Sequence, residues 1–300
     1  MFRIPHRLAF VACALMASSA LAQPEIALVA AAGGPQSVDV INKLTGTGEF
    51  STVTYINAQT VTPTLAELQA YDAVLCWSNN TFLSADGLGD VLADYVDAGG
   101  GVVVAVFATS TTTVGRSLGG RFRSGGYEII PTQGGNTTGA ATLGTILLPG
   151  HPTMTGVSTF IGGTSSPRPT TTTVSSHGYH VALWSDGKTL VAASSTYPNR
   201  IDLGFYPPSR DGVSTSWDPA TDGARMLANA LLATMNITPP CDTDVNCDGA
   251  LNGFDIQATE EAVNGDFTNF CLPSADLNGD GSENGFDIET EEQRVNGAPC

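Results

Sequence analysis

The residues best placed to do chemistry lie near the C-terminus, where Asp244-Val-Asn-Cys-Asp-Gly-Ala-Leu-Asn-Gly-Phe-Asp255 recurs as Asp276-Leu-Asn-Gly-Asp-Gly-Ser-Glu-Asn-Gly-Phe-Asp287. In each copy acidic or amide side chains fill positions 1, 3, 5, 9 and 12, and Gly fills position 6. A calcium ion gathers hard oxygen ligands at about 2.3–2.6 Å, one of them the backbone carbonyl of position 7, around a turn that glycine makes easily. The side-chain ligands are expected to be Asp244, Asn246, Asp248 and Asp255, then Asp276, Asn278, Asp280 and Asp287. Ala250 and Ser282 would give their carbonyls, and Asn252 and Asn284 would ligate directly or through water. A single such stretch could be an ordinary Asp/Asn/Gly turn. Two in matching register point to two Ca²⁺ ions per chain.

Four cysteines, Cys241, Cys247, Cys271 and Cys300, fall in the same tail. In a small exported module they read as two disulfides, with three pairings open. A zinc site would need the paired C-x₂-C spacing that is absent here. Export is expected because Arg3 and Arg7 precede the apolar run Leu8–Met16 and an Ala20-Leu21-Ala22 cleavage site, so residues 1–22 read as a signal peptide. The expected location is extracellular, at the cell surface or in the periplasm. No stretch reaches the roughly 18 apolar residues of a membrane span. Of the 29 acidic side chains, 14 lie in residues 241–300 beside a single base, Arg294, and the chain carries −17 overall. That charge disfavours nucleic acid and anionic membrane as partners.

The elements that position these residues divide into two domains. Residues 23–236 alternate apolar runs (Ile26–Ala32, Thr52–Ile56, Ala73–Trp77, Val102–Phe107) with helical spacing at Ser37–Leu44, Thr64–Ala70 and Asp90–Asp97. This rhythm predicts an α/β fold with a mostly parallel, doubly wound sheet. Within the Thr/Ser/Gly-rich residues 109–175, Tyr127–Ile130 and Thr145–Leu148 read as short strands. His180–Trp184, Thr189–Ala193 and Ile201–Tyr206 follow as strands, and Asp222–Met235 as a closing helix. Residues 237–240 form a stiff Pro-Pro linker, and residues 241–300 a small α-helical module with two EF-hand-type loops.

The repeated loop resembles that of dockerin, the calcium module that ties secreted enzymes to cohesin domains in polysaccharide-degrading complexes. The resemblance covers roughly 244–297, and Asp at position 12 agrees with it. It implies a helix after each loop, two calcium ions, and a cohesin-like protein or cell-surface component as partner. The helices depart from the pattern in being Glu-rich, and Gly-Phe stands before the last ligand where dockerins carry a Ser-Thr-like recognition pair.

The larger domain resembles class I glutamine amidotransferases and their trehalose-utilisation-like relatives, which implies a flavodoxin-like sheet. That family carries a nucleophilic Cys in a Gly-x-Cys-x-Gly elbow and a late Phe-His-Pro-Glu. Here the fourth strand runs Val102–Ser110 without Cys, and Gly204-Phe-Tyr-Pro-Pro-Ser209 has Tyr206 for the His and Pro208 for the Glu. Cys76 sits inside an apolar strand and reads as a core thiol. His151, His177 and His180 match neither a helical metal pair nor a serine-hydrolase elbow. No catalytic residue is therefore assigned, and glutaminase chemistry is not expected.

Open parallel sheets bind ligands at the carboxyl ends of their strands. Asn79, Asn80, Thr109, Ser110, Tyr206 and Ser209 are the candidates there. The expected function is that of a secreted calcium-binding protein, attached through its tail, whose α/β domain binds a ligand, a carbohydrate being one candidate, without transforming it, in the setting of polysaccharide degradation. The alternatives are an extracellular hydrolase of O-glycosyl bonds and a structural or oligomerisation module.

Overall fold

A computed structural model describes residues 23–235, 244–272, 274–278 and 282–296. The expected signal peptide (1–22) and linker (237–240), together with Cys241, Asp280 and Cys300, lie outside the described residues. The chain separates into two compact units, divided between Asn236 and Ile237.

The first unit runs β1 (Glu25–Ala31), α1 (Gly34–Thr45), β2 (Thr52–Asn57), α2 (Leu65–Leu68), β3 (Ala73–Ser78), α3 (Ala85–Asp97), β4 (Gly101–Ala105) and α4 (Gly120–Ser124). It continues through β5 (Leu143–Ile146), β6 (Gly178–Trp184), β7 (Thr189–Ser194), β8 (Arg200–Leu203) and α5 (Gly223–Thr234). One eight-stranded sheet results, in the order β2-β1-β3-β4-β8-β7-β6-β5. The β2-β1-β3-β4-β8 half is parallel, and β8-β7-β6-β5 is antiparallel. β8 is thus the strand where direction changes.

Every residue of β3 and β4 is buried, which is why both read as unbroken apolar runs. Alternate side chains enter two separate cores. Leu75 and Trp77 pack with Val40 and Leu44 of α1 and Leu227 and Leu231 of α5. Val74 and Cys76 pack on the other face with Leu88, Leu92 and Val96 of α3. Burial pushes the Cys76 thiol well above its ordinary pKa, so it stays protonated and unreactive.

Tyr127–Ile130, expected as a strand, is irregular backbone instead. Its Ile129 and Ile130 N–H groups donate to Asp202 Oδ2 at 3.1 and 2.7 Å, so a side chain takes the place of a partner strand. The Asp202 carboxylate also pairs with Arg200 at 2.6 Å, both fully enclosed. The Arg200 guanidinium spends its remaining N–H groups on the carbonyls of Val102 and Tyr127. β5 begins two residues before the expected Thr145, and β8 ends at Leu203 rather than at Tyr206. A Cβ on Gly204 would fall 1.9 Å from the Thr189 carbonyl oxygen, so only glycine passes there.

The second unit contains α6 (Gly253–Val263) and α7 (Gly285–Val295), packed against each other. Asn252 and Asn284 cap them, with Asp255 and Asp287 closing a capping box at each start. Its core is thin: Val245, Ala258, Ala262, Phe270 and Ala275. A disulfide joins Cys247 to Cys271. Among the described residues, no helix is long and apolar enough to cross a membrane.

Two outcomes follow from this packing. Asp202→Ala leaves Arg200 charged, buried and unpaired, and should cost about 3–5 kcal/mol in urea unfolding; a loss within error would mean the pair is dispensable. Alkylation of native protein should leave Cys76, Cys247 and Cys271 unlabelled, and denaturant without reductant should expose Cys76 alone of the three.

Candidate functional site

Two places gather chemistry-bearing side chains. The first is the carboxyl edge of the parallel strands. After β3 the chain turns at Asn79 and Asn80, whose N–H groups both donate to the Ala31 carbonyl at 2.7 and 2.8 Å. Asn80 Nδ2 donates to Gln59 Oε1 at 2.8 Å, and Asn79 Oδ1 accepts from Arg116 Nη2 at 3.2 Å. Arg116 lies 3.6 Å over the Phe107 ring. Tyr206, past the end of β8, packs on Phe107 at 5.3 Å between centroids and edge-on to Trp77 at 5.5 Å.

The structure therefore brings together Asn79, Asn80 and Tyr206 of the expected set and adds Arg116, Phe107 and Gln59 to them. The other three have different partners. The Ser110 hydroxyl accepts from Asn136 Nδ2 at 2.9 Å and contacts Thr112 Oγ1 at 3.1 Å, and the Thr109 carbonyl accepts from Gln133 N. Ser209 is fully buried, its hydroxyl donating to Asp39 Oδ1 at 3.0 Å. The histidines are held apart in their own strands and turns: His177 Nδ1 contacts Ser194 Oγ, His180 Nδ1 contacts Thr189 Oγ1, and His151 Nδ1 accepts from Thr153 N.

Arg116 was not visible as a site residue because it sits in a polar loop. One signal existed: the nearest acidic residues in the sequence, Asp97 and Glu128, stand 19 and 12 positions from Arg116, whereas Arg123 has Glu128 five positions away. Burial lowers the Arg116 pKa and raises that of Tyr206. Both shifts mark groups removed from water.

The second place is the pair of Asp/Asn loops. Asp244 accepts from Asp248 N through Oδ1 at 3.0 Å and from Gly249 N through Oδ2 at 2.8 Å. Asn246 Oδ1 accepts from Asp248 N, and Asp248 Oδ1 from Ala250 N. Asp255 is wholly buried and accepts from Asn252 N at 2.8 Å and Asn246 N at 3.4 Å. Cys247 and Gly249 both take left-handed backbone, φ 59° and 87°, which folds the loop back on itself. In the second loop Asp287, equally buried, accepts from Leu277 N, Asn278 N and Asn284 N at 2.9, 3.1 and 2.7 Å. The carbonyls of Ala250 and Ser282 accept from Asn252 Nδ2 and Asn284 Nδ2. Asp280 lies outside the described residues. Among the described residues, no three His, Cys, Asp or Glu side chains close on one point, the loop carboxylates being turned onto main-chain N–H groups.

No family model and no curated protein matches the chain. Among solved structures, a ThuA-like protein from Bacteroides uniformis is 15% identical, covering 72% of this chain and 93% of that one with a TM-score of 0.50. A cytoplasmic protein from Salmonella typhimurium is 12% identical, covering 69% of this chain and 97% of that one with a TM-score of 0.49. At such identities the likeness concerns the fold alone. The ThuA-like match supports the amidotransferase-like architecture of the larger unit.

The Tyr206 hydroxyl is shut off from solvent and has no hydrogen-bond partner among the described residues. Tyr206→Phe should then leave thermal stability unchanged or raise it by up to about 1 kcal/mol, since an unsatisfied buried hydroxyl is removed. A clear loss of stability would show that the hydroxyl has a structural partner.

Proposed function

We propose that this chain is a secreted calcium-binding protein: a dockerin-like module with two calcium loops joined to a non-catalytic α/β domain that binds a ligand at the carboxyl edge of its sheet. Polysaccharide degradation is its setting. The observation that carries this reading is the duplicated loop. In both copies the position-12 carboxylate is buried and receives N–H groups from the loop's start and from the helix cap.

The donor set fits a hard divalent cation. It consists of carboxylate, amide and carbonyl oxygens at calcium spacing, on a loop whose fourth and sixth residues in the first copy are left-handed. A bound Ca²⁺ would supply the positive charge that offsets carboxylate repulsion within each loop, so that its binding free energy becomes folding free energy for the module. Asp244 and Asp248 would turn outward-facing oxygens to the ion, and Asp255 and Asp287 would hold loop and helix in one register. Export is supported by the 1–22 pattern and by the Cys247–Cys271 disulfide, which belongs to an oxidising compartment. Attachment is supported by Phe254 and Phe286, both 66% exposed at the same loop position, where a partner pocket could receive them. The absence of catalysis is supported at the matching positions, where Tyr206 and Pro208 replace the family's base and carboxylate.

Calorimetry on the full chain should find two Ca²⁺ ions, with affinities that in extracellular modules extend to about 10⁻⁴–10⁻³ M. Asp248→Ala should remove one site and Asp280→Ala the other, while chelation lowers helicity and leaves the larger unit folded. No calcium heat and an unchanged spectrum in chelator would reduce the loops to turns. A panel of polysaccharides and oligosaccharides, scored for binding and for hydrolysis, separates the ligand-binding domain from a hydrolase.

A further inference from the structure

Seven of the eight arginines among the described residues carry a carboxylate within 4.0 Å. Arg116 is the exception. In a chain of net charge −17 carboxylates are abundant, and none is placed against this guanidinium.

Its position is nevertheless built. Ser78 Oγ donates to the Arg116 carbonyl at 2.8 Å, which pins the backbone to the end of β3, and Arg116 N donates to the Thr113 carbonyl at 3.1 Å within the loop. The side chain is then laid across Phe107 and tied to Asn79. Around it the polar groups left over can all donate, and only the Tyr206 hydroxyl can also accept. Arg116 Nε, Tyr206 OH and Trp77 Nε1 are buried without an acceptor among the described residues, and Tyr206 is only 5% exposed. Buried donors without acceptors are costly, and a guanidinium taken partly from water without a counter-charge more so. The group that would satisfy this cluster is negatively charged and rich in lone pairs. A guanidinium's fork of N–H groups matches such an oxyanion.

We propose that Arg116, with Asn79 and Tyr206 beside it, forms an oxyanion subsite at this edge, taking the carboxylate of an acidic saccharide or the phosphate of a sugar phosphate. The inference rests on the reading of the strand edge as a ligand site and adds the charge of the ligand to it. Arg116 holds the oxyanion through N–H groups not given to Asn79, and Phe107 keeps the guanidinium plane from rotating away.

The test uses the full-length chain in calcium with three probes, glucuronate, glucose 6-phosphate and glucose, followed by calorimetry and by the fluorescence of the tryptophans, one of which, Trp77, adjoins the site. At least one anionic probe should bind about tenfold or more tightly than glucose, and more weakly as salt is raised. Arg116→Gln should weaken that probe by about tenfold or more with an unchanged melting curve, and Arg116→Lys should restore part of it, keeping the charge but not the fork. Binding of glucuronate alone assigns a carboxylate, and of glucose 6-phosphate alone a phosphate; either supports the subsite. Glucose binding as tightly as both anions overturns the oxyanion subsite and keeps the strand-edge reading. Anion binding unaffected by Arg116→Gln and by salt overturns it as well. If none of the three binds, the subsite is wrong, and the saccharide panel then decides the strand edge separately. Should Arg116→Gln melt early, the salt dependence of the native protein and Arg116→Lys carry the decision.

Discussion

The larger unit is organised around one buried ion pair, Arg200 with Asp202, on the strand where the sheet changes from parallel to antiparallel. Alternate residues of a strand share a face, so the two side chains stand together on one side of β8. A pair this deep gains little from its own attraction and stays in place only if its other polar atoms are satisfied. Here main-chain groups of Val102, Tyr127, Ile129 and Ile130 do so. The consequence reaches the candidate site. The chain leaving β4 is held at one end by the sheet and at the other by this pair, with Arg200 also lying 4.7 Å over Phe122 of α4. The connection that carries Arg116 spans those two anchors.

The second unit is governed by the opposite condition, an excess of one charge with little apolar surface to offset it. Its core is five buried residues of mostly small volume. The disulfide and the N–H groups donated to Asp244, Asp255 and Asp287 do much of the holding. A cross-link of this kind contributes roughly 2–4 kcal/mol. A cation in each loop would act on the same carboxylates that otherwise repel.

The parts of this architecture that could be read from sequence are those set by local pattern. β3 and β4 were legible because strands buried on both faces are apolar throughout, and α5 because its periodicity closes the domain. Tyr127–Ile130 has the apolar character of a strand, but its hydrogen bonds go to a carboxylate 72 residues away from Ile130, which no local pattern encodes. At the strand edge, Asn79 and Tyr206 were legible from where their strands end. Ser209 was not placed correctly from its position in the chain, because its hydroxyl is turned inward to Asp39 on α1, 170 residues away. Arg116 was hidden for a related reason, since its side chain is placed by Asn79 and Phe107 and its carbonyl by Ser78, all outside its own loop turn.

The central claim, two units of which only the smaller depends on calcium, is tested most directly by hydrogen exchange on the full chain with calcium and with chelator. The account predicts that calcium slows exchange in residues 244–255 and 276–287 and in α6 and α7, while β1, β3, β4 and β8 exchange at the same rates in both conditions. Equal exchange throughout the smaller unit in both conditions would contradict it.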